Sequence, residues 1–214
     1  MGKKNINALI RGHHNFQDLN FKKNEERFKS LVHEGQNPKA LFIGCSDSRV
    51  VPELITGSKP GDLFIVRNIG NFVAPFKPDE DYHATASAIE YAVGILGISD
   101  IIICGHSHCG AIGALYSDVA YSEDILHTVK WLELGNPAKE YTLSLFPNIP
   151  KEQLLRYTEK ISVLFQLENI LTYPMVKKRV DERSLFLHGW YYDITTGVIS
   201  SYDDESDSFI PLEL

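Results

Sequence analysis

The sequence predicts an α/β protein with a central, mostly parallel β-sheet flanked by helices, an N-terminal helical arm and a C-terminal helical and hairpin segment. Two observations lead to this fold class. Short, continuous apolar runs of strand length recur along the chain, and stretches of helix-forming composition lie between them. Continuous apolar strands are typical of a parallel sheet covered on both faces, and their alternation with helices is typical of the α/β class.

Three apolar runs are the predicted strands of the parallel sheet, at residues 40–44, 63–66 and 101–104. Residues 83–96, between the second and third runs, have helix-forming composition. One side of this predicted helix carries small and apolar side chains, namely Ala84, Ala88, Tyr91, Ala92 and Ile95.

The N-terminal segment has its own helical pattern. Residues 16–33 carry apolar side chains at helical spacing among charges, which predicts an amphipathic helix ending near Gly35. The apolar face of this helix needs a partner. We expect a single domain over residues 1–214, in which residues 1–35 form an N-terminal helical arm.

The C-terminal third predicts a long helix followed by a closing strand and a hairpin. The helix covers residues 152–171 and is stopped by Pro174. Its predicted inward-facing side chains are Leu155, Ile161, Leu164, Phe165 and Leu167. Three short segments around a turn at Thr196-Gly197 predict the closing strand and the hairpin, at residues 185–187, 190–194 and 198–202.

Composition excludes two classes of partner. The chain has 21 Lys and Arg against 28 Asp and Glu, a formal net charge of −7, so it lacks the clustered positive charge that binds nucleic acid or an anionic membrane. It has no apolar run long enough to span a membrane, and the apolar stretch at residues 8–10 is too short for a secretory signal. We expect a cytoplasmic protein that acts on a small molecule.

The chain has three cysteines, which is too low a number, and an odd one, for a disulfide framework. Such a count is typical of a reducing compartment, where a special cysteine serves as a metal ligand or a nucleophile. Cys104 continues an apolar run and is expected to be packed in the core. Cys45 and Cys109 lie in polar segments and are the candidates for chemistry.

Two polar clusters follow predicted strands directly: CSDSR at residues 45–49 and GHSHCG at residues 105–110. Open parallel sheets bind ligands at the carboxyl ends of their strands. If these two strands are neighbours, Cys45 can meet His106 and Cys109. Two thiolates and one imidazole leave one of the four tetrahedral positions of zinc open, as catalytic zinc sites do.

Asp47 and Arg49 lie two residues apart on the first of these loops, close enough to pair through the planar guanidinium group. A carboxylate paired in this way stays ionised near neutral pH. It can then accept a hydrogen bond from a group on the metal, or it can ligate the metal itself.

Each of these residues also has a simpler interpretation. A lone cysteine after an apolar strand is more often an inert core residue, Asp47 with Arg49 can be an ordinary loop ion pair, and His108 is an alternative ligand to His106. The combination favours a metal site. Two other functional classes remain: a thiol enzyme with Cys45 as nucleophile and His106 as base, and a non-catalytic zinc-binding module that Asp47 closes.

These motifs closely resemble those of the beta-class carbonic anhydrases. CSDSR at residues 45–49 and GHSHCGA at residues 105–111 are together highly specific. The likeness covers about residues 25–200 and includes further matching segments, namely VRNIGN at 66–71, AIEYAV at 88–93, LTYP at 171–174 and GWYY at 189–192.

The resemblance implies one Zn²⁺ per subunit, bound by Cys45, His106 and Cys109, and the zinc-dependent reversible hydration of carbon dioxide to bicarbonate and a proton. It implies that Asp47 and Arg49 form an orienting dyad, and that the substrate pocket is lined by Gln36, Phe64, Ile69, Tyr91 and the backbone of Gly110. The family's pocket lies between subunits, so a homodimer, or an assembly of dimers such as a homotetramer, is implied as well. Some relatives of this fold act on carbonyl sulfide or carbon disulfide, which is the alternative chemistry.

One departure from the family concerns the resting state of the site. Some bacterial members carry a Trp three residues before the first cysteine and use it in an inhibitory bicarbonate site, whereas this chain has Phe42 there, although Gly44 and Arg67 agree with those members. We therefore expect an open site in which Asp47 pairs with Arg49. A closed site, with Asp47 as a fourth ligand, is the alternative at low pH.

Overall fold

The computed structural model describes residues 2–79, 81–117 and 123–213. It divides the chain into two compact units, Met1–Asn37 and Pro38–Leu214. Within the described part of the chain, no helix is both long and apolar enough to cross a membrane.

The first unit is helical. Helix α1 (Gly2–Asn15) continues through a π-helical segment, Phe16–Phe21, into α2 (Lys22–Glu34), which ends at Gly35 with a φ of 81°. The predicted end near Gly35 is confirmed, but the predicted start at residue 16 is wrong because helical backbone begins at Gly2. The spacing of Ile6, Leu9 and Ile10 was the overlooked helical signal.

The second unit contains a six-stranded sheet in the order β2-β1-β3-β4-β5-β6. Its first four strands are mutually parallel, and the last two pair antiparallel. The predicted, mostly parallel α/β architecture is therefore confirmed. The strands are β1 (Ala40–Cys45), β2 (Leu63–Asn68), β3 (Asp100–His106), β4 (Phe186–Tyr192), β5 (Ile199–Asp203) and β6 (Ser208–Pro211).

Seven helices of this unit accompany the sheet in the described residues. The prediction over residues 83–96 is confirmed as a helix whose last turn is π-helical, whereas α3, α5 to α7 and α9 had no counterpart in the sequence analysis. The helices are α3 (Pro52–Thr56), α4 (Ala84–Glu90, continued by the π-helical Tyr91–Ile95), α5 (Gly110–Leu115), α6 (Leu126–Leu132), α7 (Asn136–Leu145), α8 (Lys151–Leu171) and α9 (Pro174–Asp181).

The central strands are buried on both faces, as their continuous apolar runs predict. Successive side chains of a strand point to opposite faces. Leu41 and Ile43 therefore pack with Ile101 and Ile103 in one buried cluster, to which α4, α8 and α9 contribute. Phe42 belongs to a second cluster on the other face, together with Ile102 and Cys104. The prediction that Cys104 is a core residue is confirmed, since it is fully buried.

The inward face predicted for α8 is partly correct, because Leu155 and Leu167 pack against buried apolar clusters. All five apolar residues expected to face inward are only half-buried. The buried face is instead largely polar, and its members are Leu154, Thr158, Glu159, Ser162, Val163, Gln166 and Ile170. Buried polar side chains of the helix hydrogen-bond to the loops above the sheet, so apolar spacing alone missed the polar part of the buried face.

The C-terminal hairpin is present, with one difference. Residues 186–192 form the single strand β4, where the sequence analysis expected two segments. β4 pairs antiparallel with β5. In the connecting turn, the Gly197 N–H donates to the Asp193 carbonyl at 2.8 Å, and Gly197 has a φ of 76° that favours glycine.

Gly105 offers a test of how closely α8 packs on the sheet. A Cβ at this position in β3 would lie 2.7 Å from Val163 Cγ2 and 3.4 Å from the Glu159 carbonyl oxygen. We expect Gly105→Ala to lower the free energy of unfolding by about 1–3 kcal/mol, because overpacking displaces the helix.

Gly113→Ala is the matched control, because Gly113 lies within α5 and a Cβ there meets no atom within 4 Å. This change should leave stability equal or raise it by about 0.5–1 kcal/mol. Urea unfolding of both variants measures the difference, and equal stabilities would contradict the packing described.

Candidate metal centre

Three buried metal-binding side chains meet at the carboxyl edge of the sheet. Cys45 is the last residue of β1, His106 is the last residue of β3, and Cys109 directly precedes α5. One ligand atom from each lies within 4.8 Å of the other two. The strand order explains this meeting, because β1 pairs directly with β3 and places Gly44 opposite Cys104.

The His106 ring is oriented as a metal ligand requires. Its Nδ1 lies 2.9 Å from the Ser107 carbonyl oxygen, and since a carbonyl only accepts, Nδ1 carries the proton. Nε2 is then the nitrogen with a free lone pair. It is buried and has no hydrogen-bond partner in the described structure, which is unfavourable for a polar atom unless another group binds it. Such an imidazole beside two thiols fits a zinc ion.

The two thiols beside His106 have pKa values that are shifted in opposite directions. Hydrogen bonding to Cys109 lowers the pKa of Cys45 to about 4, and the same contact raises the pKa of Cys109 well above its usual value. Burial alone would lower the pKa of His106, but the neighbouring Cys45 raises it. The cluster therefore favours a thiolate at Cys45. Cys104 differs, since burial raises its pKa to about 12 and keeps it a neutral thiol.

Asp47 and Arg49 form a two-pronged ion pair on the loop after β1. Asp47 Oδ1 accepts from the Arg49 Nε at 2.9 Å and from the Arg49 backbone N–H at 3.0 Å, and Oδ2 accepts from Arg49 Nη2 at 2.7 Å. The Arg49 hydrogen bond holds the pKa of Asp47 well below its usual range. Asp47 is therefore ionised across neutral pH. It does not belong to the donor group that Cys45, His106 and Cys109 form.

Two arginines hold the loop after β1, and one of them also joins it to the loop after β3. Arg67, near the end of β2, donates from Nε to the Cys45 carbonyl at 3.0 Å and from Nη2 to the Asp47 carbonyl at 2.6 Å. Arg49 Nη2 also donates to the His108 carbonyl at 3.0 Å. Arg67 thus attaches the loop after β1 to β2, and Arg49 attaches the same loop to the loop after β3.

The loop after β3 reverses direction at His108, whose φ of 58° is uncommon for a residue with a side chain. Ser107 anchors the start of this turn: its N–H donates to the Tyr192 carbonyl at 2.9 Å, and its hydroxyl donates to Asp193 at 3.2 Å. The His108 side chain is exposed and outside the donor group, so the structure gives no support to His108 as the alternative ligand.

Glu159 on α8 is the main feature that the sequence analysis missed. Its carboxylate is buried and accepts from the Cys109 backbone N–H at 2.9 Å. Burial raises the pKa of Glu159. The local pattern shows only that Arg156 lies three residues before Glu159, a spacing that suits an exposed ion pair on a helix equally well.

The predicted pocket residues occupy different places. Ile69 follows Asn68, the strand partner of Cys45, and is 46% exposed at the carboxyl edge of the sheet. Phe64 lies earlier in β2 and stacks on Tyr91 with ring centroids 5.8 Å apart. Gly110 is the first residue of α5. Gln36 belongs to the N-terminal unit, and its role in the pocket stays a prediction.

A second group of donor atoms lies on the loop before α4, at Asp79, Asp81 and His83. Asp79 is already paired with Lys77 at 3.0 Å and with His83 at 2.7 Å, and its partners Asp81 and His83 are exposed. This group has the character of a solvated surface cluster. The buried Cys45 group is the candidate site.

Comparison with known sequences identifies the family. The carbonic anhydrase family model matches residues 40–199. A carbonic anhydrase of Pseudomonas aeruginosa is 40% identical over 95% of this chain and 90% of its own length. Carbonic anhydrase 1 of Escherichia coli O157:H7 is also 40% identical, over 97% of this chain and 92% of its own.

Solved structures decide the class. The beta-carbonic anhydrase CcaA superposes with a TM-score of 0.92 at 36% identity, over 99% of this chain and 93% of that one. The chain belongs to the beta-class carbonic anhydrases. A tetrameric beta-carbonic anhydrase of Sordaria macrospora superposes on this carbonic anhydrase with a TM-score of 0.81 at 29% identity, over 92% of this chain and 96% of that one.

Thiol labelling tests the unequal thiols of this carbonic anhydrase. In chelator-treated protein at pH 7, we expect iodoacetamide to modify Cys45 first, because its pKa of about 4 leaves a thiolate at neutral pH. Cys104 should stay unmodified until the protein unfolds, because its pKa of about 12 keeps it protonated. Peptide mass spectrometry over a time course measures both, and equal labelling of the two would contradict these shifts.

Proposed function

We propose that this carbonic anhydrase performs the reversible hydration of carbon dioxide to bicarbonate and a proton at one Zn²⁺ per chain, held by Cys45, His106 and Cys109. The observation that carries the proposal is the unpartnered, buried Nε2 of His106 beside two buried thiols. Three ligands leave one tetrahedral position of zinc for a reacting molecule.

The chain's own residues would orient the reacting water. Zinc, when bound, would act as a Lewis acid that lets water lose its proton near neutral pH, as in carbonic anhydrases generally. Asp47 would accept a hydrogen bond from that water. Its Oδ1 accepts twice from Arg49 but its Oδ2 only once, so Oδ2 retains more acceptor capacity. This pairing supports the open resting arrangement over the closed one.

The substrate pocket would combine an apolar wall with a few hydrogen-bond donors, which suits an uncharged, linear molecule. Ile69, Tyr91 and Phe64 would form the wall. The amide of Gln36 and the backbone N–H of Gly110 would donate to the oxygen that gains negative charge during hydration.

We further propose that the enzyme is a cytoplasmic homodimer or homotetramer. Apolar side chains lie exposed around the carboxyl edge of β2 and on α4, among them Ile69, Tyr91 and Ile95, and such a surface is typical of an interface between subunits. The Sordaria macrospora relatives are tetrameric. A reducing compartment suits three cysteines that are all unpaired.

Ligand removal is the direct test of the zinc assignment. We expect Cys45→Ala and His106→Ala to lose stoichiometric zinc and carbon dioxide hydration together, because two remaining ligands hold the ion poorly. Zinc analysis and stopped-flow hydration with a pH indicator, on the same sample across pH 6 to 9, measure both.

Cys104→Ala is the control, because Cys104 is a buried cysteine outside the donor group. It should keep zinc and activity. Retention of both by Cys45→Ala would refute the ligand set, and activity that survives chelation but is lost on alkylation would instead favour the thiol enzyme.

Replacement of the acceptor carboxylate tests the dyad. Asp47→Asn should keep zinc but slow turnover by roughly 10–100-fold, because neighbours of a metal site that orient its ligands typically contribute this much. Asp100→Asn is the control, since Asp100 is an ion-paired aspartate at the amino end of β3. Wild-type turnover and pH profile in Asp47→Asn would show that the pair is only structural.

A further inference from the structure

Glu159 is a carboxylate in an unusual place. It lies on α8 with 2% of its surface exposed, although acidic residues are seldom buried without partners. Burial of a charge is costly unless it is paired and hydrogen-bonded. The partners of Glu159 therefore indicate what the residue does.

Each partner of Glu159 donates to it. Oε1 accepts from the Cys109 backbone N–H at 2.9 Å and from Arg156 Nη2 at 2.7 Å, and Oε2 accepts from the Tyr191 hydroxyl at 2.9 Å. Tyr191 lies on β4 and Cys109 at the start of α5. The carboxylate thus joins a helix, a strand and the metal loop at one point.

The hydrogen bond between Glu159 and Cys109 is made at a turn of the backbone. His108 has a left-handed φ of 58°, and Cys109 returns to extended backbone with a φ of −68° and a ψ of 121°. The Cys109 N–H lies at the junction between the left-handed residue and the extended one. Its hydrogen bond to Glu159 fixes the turn and so fixes the direction in which the Cys109 side chain leaves the backbone.

We propose that Glu159 is a positioning residue that holds Cys109 in the geometry needed to bind the metal, with Arg156 balancing its charge. The inference rests on the zinc assignment proposed above. Groups behind the metal ligands typically change metal affinity or activity by 10–100-fold when they are replaced. Glu159 does so through the Cys109 backbone and touches neither metal nor substrate.

The same helix supplies a natural comparison. Gln166, also fully buried on α8, accepts from the Val73 backbone N–H at 2.8 Å. It performs the same structural task on a loop that carries no metal ligand. The loop at Val73 is thus held by a neutral amide, and the loop at Cys109 by a carboxylate. Replacing Gln166 therefore tests loop support alone, and replacing Glu159 tests support of the metal centre.

The experiment compares zinc loss in Glu159→Gln, Glu159→Ala and Gln166→Ala. Zinc-loaded protein is mixed with excess EDTA, and the rate of zinc release is followed with a colorimetric indicator; thermal melting is recorded in parallel. We expect release to accelerate about tenfold in Glu159→Gln and on the order of 100-fold in Glu159→Ala. Gln166→Ala should melt at lower temperature yet release zinc at the wild-type rate.

Cobalt-substituted protein gives a second measurement, because the thiolate-to-cobalt absorption band reports the geometry at the two proposed thiolate ligands, Cys45 and Cys109. This band should shift in Glu159→Gln and stay unchanged in Gln166→Ala. If Glu159→Ala does not fold, Glu159→Gln decides, since it keeps the size of the side chain but loses the negative charge that pairs with Arg156 and replaces Oε2, the acceptor for Tyr191, by a donor.

The role of Glu159 is overturned if its variants release zinc at the wild-type rate, or if Gln166→Ala releases zinc as fast as Glu159→Ala. In either case a wild-type protein that holds zinc and hydrates carbon dioxide leaves the proposed function intact. A wild-type protein without stoichiometric zinc overturns the zinc assignment and this inference with it.

Discussion

The direct pairing of β1 with β3 is the constraint on which the candidate site depends. The two strands run parallel and end at the same edge of the sheet, with Gly44 opposite Cys104. Cys45 and His106 therefore stand side by side although 61 positions separate them in the sequence. Both strands are buried on each face, so their register is fixed by core packing, and the distance between the two donors is fixed with it.

A second constraint is the polar side of α8. Along one helix, Thr158, Glu159, Gln166 and Asn169 bind partners on other elements, at Tyr116, Cys109 and Val73. Each of these bonds secures a loop that would otherwise expose unpaired backbone or polar groups to a dry interior. The helix thus fixes the loops above the sheet, while the sheet positions two of the metal-ligating side chains, Cys45 and His106.

The sequence was sufficient for β1, β2 and β3 and for the residues of the metal cluster, because both depend on short local patterns. Residues 40–44 and 101–104 are continuous apolar runs, and CSDSR and GHSHCG follow them without a gap. What it could not supply was the polar part of the buried face of α8. Its apolar residues occur on more than one side, so apolar spacing favoured Leu155 and Leu164 over the polar residues that are buried.

Glu159 escaped the sequence analysis for the same reason. Its importance comes from a contact with Cys109 across 50 sequence positions, and no local pattern records such a contact. Gln36 shows a different limit: its predicted role came from family resemblance, and it lies in the N-terminal unit.

The two bonds of Arg67 have a consequence for the length of the loop after β1. The guanidinium of Arg67 donates to the backbone carbonyls of both Cys45 and Asp47. It therefore fixes how far apart these two residues lie along the backbone. An inserted or deleted residue between them would force the arginine to release one carbonyl. A change of side chain in this segment leaves both acceptors in place, because they are backbone carbonyls, whereas a change of length does not.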